Sequence, residues 1–195
     1  WLYSYKKILV APPRLEPSVM GNSIESLLEN DHESLSQLLT ELNSSLSTLN
    51  VARSFELLDL FWARLAIHIR AEHLHLFPAL LAPRKLETDK DDLPTPEEVH
   101  ELISQLRADH DFFMKELADM IRVMRDMTTH QRVDQPVLED LSRRLGTITS
   151  RLDVHNELEE AQAYKWVGLI FDAGTLADLG RRIQHELENL PARFV

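Results

Sequence analysis

HIRAEHLHLFPAL, residues 68–80, reads as a helix whose inner face carries the wrong chemistry for a core. Leu65, His68, Glu72 and Ala79 recur at helical spacing, so a histidine and a glutamate one turn apart stand where apolar residues belong. Buried polar groups of this kind need partners, because an unpaired carboxylate in a core costs several kcal/mol even after relaxation.

The rest of the chain says what surrounds that helix. It has only 5 glycines in 195 residues and no useful alternating Val/Ile/Thr segment, while leucine returns at helical intervals almost throughout. The pattern predicts an all-α fold with long helices over 23–49, 53–81, 96–127 and 135–165. The stretch Thr95-Pro96-Glu97-Glu98 supplies an N-cap, a first-turn proline and a capping-box glutamate, and Asp134 with Pro136 opens the next helix. Four such helices with short connections pack most simply as an up-down-up-down four-helix bundle over residues 23–165. Residues 1–22, with Pro12, Pro13 and Pro17, read as an extended N-terminal arm. Residues 166–195 read as a C-terminal extension with a short fifth helix, 176–190, that starts at Thr175 and packs outside the bundle. No internal repeat stands out.

Composition narrows the chemistry. The net charge of −11 argues against nucleic acid or an anionic membrane surface as a partner. No apolar run reaches the ~20 residues of a membrane span, and the opening WLYSYKKILVAPP has too short an apolar stretch for a signal peptide. A cytoplasmic protein is the expectation, and a start at Trp1 leaves room for residues upstream. With no cysteine, disulfides, thiolate metal sites and thiol catalysis are excluded, and any metal is held by nitrogen and oxygen.

Each helix repeats the anomaly of residues 68–80. The first stripe runs Leu28, His32, Leu35, Leu39; the third Ile103, Leu106, His110, Phe113; the fourth Ile148, Leu152, His155, Glu159. Counted from one end of an up-down-up-down bundle at ~1.5 Å per residue, His32, His68, Glu72, His110, His155 and Glu159 fall within roughly 12 Å of one another along the axis. A lone histidine on such a face is more often a hydrogen-bonded core residue than a ligand. Four at one depth, with a carboxylate four residues on in two of the helices, instead form a donor set for iron, zinc, manganese or copper, with the two carboxylates placed to bridge two metals. His100, His130 and His185 read as solvated, His73 as pointing away from the His68/Glu72 face, and His75 as returning to it nearer the bundle end.

DHESLSQLLTEL, HIRAEHLHLFPAL, ADHDFFMKEL and HNELEEAQAY, one per helix, resemble the hemerythrin-like HHE cation-binding domain over residues 22–164. The resemblance implies a non-haem di-iron centre held by His32, His68, Glu72, His110, His155 and Glu159. Glu72 and Glu159 would bridge two iron ions, and an oxo or hydroxo group would complete the bridge. It also implies a small diatomic ligand, with oxygen, nitric oxide, iron or redox state bound or sensed. Classical oxygen carriers of that family have a His-x-x-x-His pair in the third helix, where this chain has His110 and then Met114. Three functions compete: a di-iron binding or sensing module, a di-iron enzyme acting on oxygen or peroxide, and a helical interaction module with a vestigial site. The histidine-rich donor set, less electron-donating than the carboxylate-rich shell of ferritin-like oxidases, favours the first over an enzyme.

Overall fold

The computed structural model describes residues 23–82, 93–131 and 133–194, so the expected arm over residues 1–22 lies outside the described residues. The described chain is helical, with no strand. Helix α1 spans Ile24–Ser47 and α2 spans Val51–Ala71. The second helix continues through a π-helical turn at Glu72–Leu76 into α3, Phe77–Leu81. Next come α4, Pro96–Thr129, and α5, Gln135–Leu158. A second π-turn at Glu159–Ala163 leads α5 into α6, Tyr164–Ile170, and α7 spans Ala173–Leu187.

Local sequence explains the helix starts. Thr95 and Glu98 form the expected reciprocal capping box, the Glu98 N–H donating to Thr95 Oγ1 at 3.2 Å and the Thr95 N–H to Glu98 Oε2 at 2.7 Å. Asp134 accepts from the Val137 N–H at 3.3 Å, also as expected. The fifth helix differs from expectation. Its cap is Asp172, which accepts from the Thr175 N–H at 2.8 Å, so α7 begins at Ala173 rather than after Thr175. An aspartate caps more strongly than a threonine, and Ala-Gly-Thr is free to form the first turn. The fourth long helix also runs on, through the π-turn, to Ile170 instead of stopping at 165.

Helix α1 packs against α2 and α5, and α4 packs against the same two, which closes a four-helix bundle with α1 and α4 on one diagonal. Helix α7 lies outside it against α1, α2 and the first π-turn, burying Leu179 and Ile183, and Arg70 of α2 pairs with Glu186 of α7. The core comes in two parts. One, built on Leu35, Leu42, Phe61, Phe113, Leu117 and Ile148, fills the end where α1 turns into α2. The other, built on Leu28, Leu76, Phe77, Leu106 and Val167, fills the opposite end. Between them runs a layer of buried polar side chains: Asp31, His32, His68, Glu72, His110, His155 and Glu159. Two apolar clusters above and below keep water from that layer, which makes its internal pairing decisive.

Candidate metal centre

All six residues expected at one depth do meet there. They form two histidine pairs: His32 Nε2 lies 3.2 Å from His68 Nε2, and His110 Nε2 lies 3.0 Å from His155 Nε2. Each glutamate spans both pairs. Glu72 reaches His68 Nε2 with Oε1 at 3.6 Å and His110 Nε2 with Oε2 at 3.3 Å. Glu159 reaches His32 Nε2 with Oε2 at 3.4 Å, and His155 Nε2 with Oε1 at 3.2 Å. Both glutamates are 0% exposed.

The outer ring nitrogens explain why the inner ones converge. Asp31 Oδ2 sits 3.0 Å from His68 Nδ1, Asp109 Oδ2 3.3 Å from His155 Nδ1, and Glu160 Oε1 2.9 Å from His32 Nδ1. His73 Nε2 sits 3.0 Å from His110 Nδ1. A carboxylate accepts the Nδ1 proton of a neutral imidazole, which leaves the Nε2 lone pair facing inward. Four inward Nε2 atoms and two carboxylates then crowd together, with too few protons to place one in every contact. Glu72 Oε2 and Glu159 Oε1 have no hydrogen-bond partner at all. A cation would relieve the crowding, and the donors suit one: His32, His68 and Glu159 form one group of possible metal ligands, and His110, His155 and Glu159 another.

The charges in the metal-free protein show the same tension. Burial pushes the Glu72 carboxyl up, and the neighbouring Glu159 charge pushes it further. Burial also opposes ionisation of Glu159, but His155 and His32 outweigh it and hold that carboxyl well below its ordinary range. For His68, burial opposes the proton and the Glu72 and Asp31 carboxylates more than restore it, whereas burial drives His110 down to about 2. One cluster thus contains groups displaced in both directions, as functional sites often do.

The outer partners are where the sequence reading fell short: His73 does point away from the His68/Glu72 face, yet it is half-buried and touches His110. Its face, turned from His68 and Glu72, is the face that meets α4. His75 lies outside the cluster of possible ligands, and His100, His130 and His185 are exposed as expected.

A repeat that the apolar pattern hides explains the whole arrangement. Asp31-His32 opens one half and Asp109-His110 the other, followed by Arg64-Leu65-x-x-His68-x-x-x-Glu72 and Arg151-Leu152-x-x-His155-x-x-x-Glu159. In each half the aspartate holds the Nδ1 of the histidine on the following helix. An arginine four residues before that histidine holds the aspartate, at 2.7 Å for Arg64 Nη2 to Asp31 and 2.6 Å for Arg151 Nη2 to Asp109. The π-turns begin on the two glutamates themselves, and π-turns gather at functional sites. Outer partners of metal-bound histidines typically carry a 10–100-fold effect on metal affinity. Asp109→Asn is therefore expected to weaken metal binding by about 10–100-fold with the fold intact, as read by competition with a chelator; unchanged affinity would show that this contact does not tune the centre.

The described geometry defines a class: helical bundles that bury a histidine and carboxylate centre between facing helices. A family model for the hemerythrin HHE cation-binding domain matches residues 23–167. The chain belongs to that family, as the motifs in its four helices imply. No curated protein and no solved structure matches the chain. No helix among the described residues is long and apolar enough to cross a membrane.

Proposed function

We propose that this is a non-haem di-iron protein of hemerythrin type, which binds or senses oxygen, nitric oxide, iron or redox state at the centre held by His32, His68, Glu72, His110, His155 and Glu159. The observation that carries the reading is the double span of the glutamates. Each has one oxygen on the His32/His68 pair and the other on the His110/His155 pair, as two carboxylates bridging two cations require. When bound, iron supplies an open coordination position and a redox couple. The chain supplies the rest: the two bridges, four oriented imidazoles, and two apolar clusters that exclude water. Iron-loaded protein is expected to hold two metals per chain and to change its visible spectrum on reduction and on return to air. One tightly bound zinc, with no iron after anaerobic iron loading, would overturn the reading.

Sensing is favoured over oxygen carriage by the place of Met114. It is half-buried against the leucine-rich core, so α4 gives the centre one histidine, His110. A thioether is a poor ligand for ferric or hard ferrous iron. The reduced iron-loaded protein is accordingly expected to oxidise on mixing with air. Stopped-flow spectra showing oxygen held and released through many cycles would favour carriage instead.

A further inference from the structure

The repeat is exact at the aspartates, arginines, inner histidines and glutamates, and two of the positions where the halves differ touch the centre. One residue after each glutamate, His73 in the first half stands where Glu160 stands in the second. Five residues after each glutamate, Phe77 stands where Tyr164 stands. The fifth position is not idle. In each π-turn the N–H of that residue bonds the carbonyl of the glutamate, Phe77 to Glu72 and Tyr164 to Glu159, and its ring meets an inner histidine, Phe77 against His110 and Tyr164 against His32.

Tyr164 uses that place to bring an oxygen into the centre. Its Oη lies 3.2 Å from His32 Nε2, 3.1 Å from Glu72 Oε1 and 3.1 Å from Glu159 Oε2, and the residue is 2% exposed. A phenol has one proton and cannot satisfy three acceptors at once. Donor atoms bound to one cation at ~2.0–2.2 Å, at right to tetrahedral angles, stand roughly 2.8–3.6 Å apart. The separations among His32 Nε2, His68 Nε2, Glu72 Oε1, Glu159 Oε2 and Tyr164 Oη are 3.1–3.6 Å where these atoms touch. The other half has no counterpart. Phe77 stacks on His110 with ring centroids 5.9 Å apart and offers no donor atom.

We propose that Tyr164 Oη is a fifth protein donor to the metal on the His32/His68 side, so that the two halves are unlike: five donors there and four beside Phe77. The proposal rests on the two-metal reading above. On coordination to ferric iron the tyrosine O–H bond breaks, the metal–oxygen bond forms, and the proton leaves to solvent, with no change of oxidation state. The remaining open position then falls on the His110/His155 side, where Glu72 Oε2 and Glu159 Oε1 lack hydrogen-bond partners.

The test is a visible and resonance Raman spectrum of the full chain, loaded anaerobically with ferrous iron and oxidised with ferricyanide, beside Tyr164→Phe treated in the same way. A phenolate-to-iron charge-transfer band with tyrosinate vibrations is expected in the unmodified protein and lost in Tyr164→Phe. Phenylalanine already occupies the equivalent place in the other half, so the variant keeps its packing, and far-ultraviolet circular dichroism checks that it does. The other tyrosines, Tyr3 and Tyr5, remain in both proteins and control for adventitious iron. Two irons per chain without a tyrosinate signature would overturn the proposal and leave the di-iron reading standing. A chain that takes up no iron would overturn both.

Discussion

Glu159→Gln is expected to cost the protein its metal, and both ions on the di-iron proposal. Glu159 is the one side chain common to the two groups of possible ligands, with Oε2 facing His32 and Oε1 facing His155. Glutamine preserves the volume and the helix but removes the negative charge and replaces one donor oxygen with an N–H donor. Neither half then keeps a complete anionic set, and the new N–H faces the place that a cation would take. The loss of affinity should exceed the ~10–100-fold expected for an outer partner such as Asp109. His75→Ala, outside the cluster on the first π-turn, is the control and should load normally. Elemental analysis after equilibration with limiting iron reads both. Two metals in Glu159→Gln at undiminished affinity, or equal losses in the two variants, would mean that the ligand set is wrongly assigned.

Removing the metals is expected to lower the melting temperature by about 5–10 °C. The metal-free layer holds two buried carboxylates, each with an oxygen that no group satisfies, and four imidazole nitrogens turned toward one another. Anything that binds only the folded state adds stability, ~2.7 kcal/mol when its free concentration is about 100 times its Kd. For a chain of this size 1 kcal/mol moves the midpoint by about 2–4 °C. The sign follows from pairing, since a cation turns mutual repulsion in a dry layer into attraction. Thermal unfolding of iron-loaded protein with and without a strong chelator measures the shift. No shift would mean that the layer holds metal too weakly to matter, and that the apolar clusters at its two ends carry the stability alone.

How much of this was legible in the sequence depends on which interactions are periodic. The bundle was, because leucines at helical spacing and a proline-led capping box obey local rules that packing does not override. The inner six residues were too: a histidine or glutamate on an apolar stripe is conspicuous, and depth along an antiparallel bundle follows from counting. Asp31, Asp109 and Glu160 were not, because a carboxylate beside the apolar stripe looks like any solvated side chain until the neighbouring helix is in place. Tyr164 was hidden more deeply. In an ordinary helix the fifth residue on points away from the first. Only the widened turn that starts at Glu159 carries it over the glutamate, and nothing local in Glu-Glu-Ala-Gln-Ala announces that turn. The repeat itself is visible in principle as Asp-His followed by Arg-Leu-x-x-His-x-x-x-Glu, but its key is polar spacing, which apolar periodicity does not display.

That repeat bears on why the bundle is one continuous polypeptide. Two identical helical hairpins, associating about a twofold axis, could place the same aspartates, arginines, histidines and glutamates around the same layer. Such an assembly is bound to symmetry: every residue on one side exists on the other, and any tyrosine brought to one metal is brought to both. Joining the hairpins end to end frees each position from its twin. The phenylalanine and tyrosine at residues 77 and 164, and the histidine and glutamate at residues 73 and 160, are differences that two identical hairpins could not hold. Covalent linkage here does more than tether the halves, since it lets one of them specialise while the other keeps the shared frame.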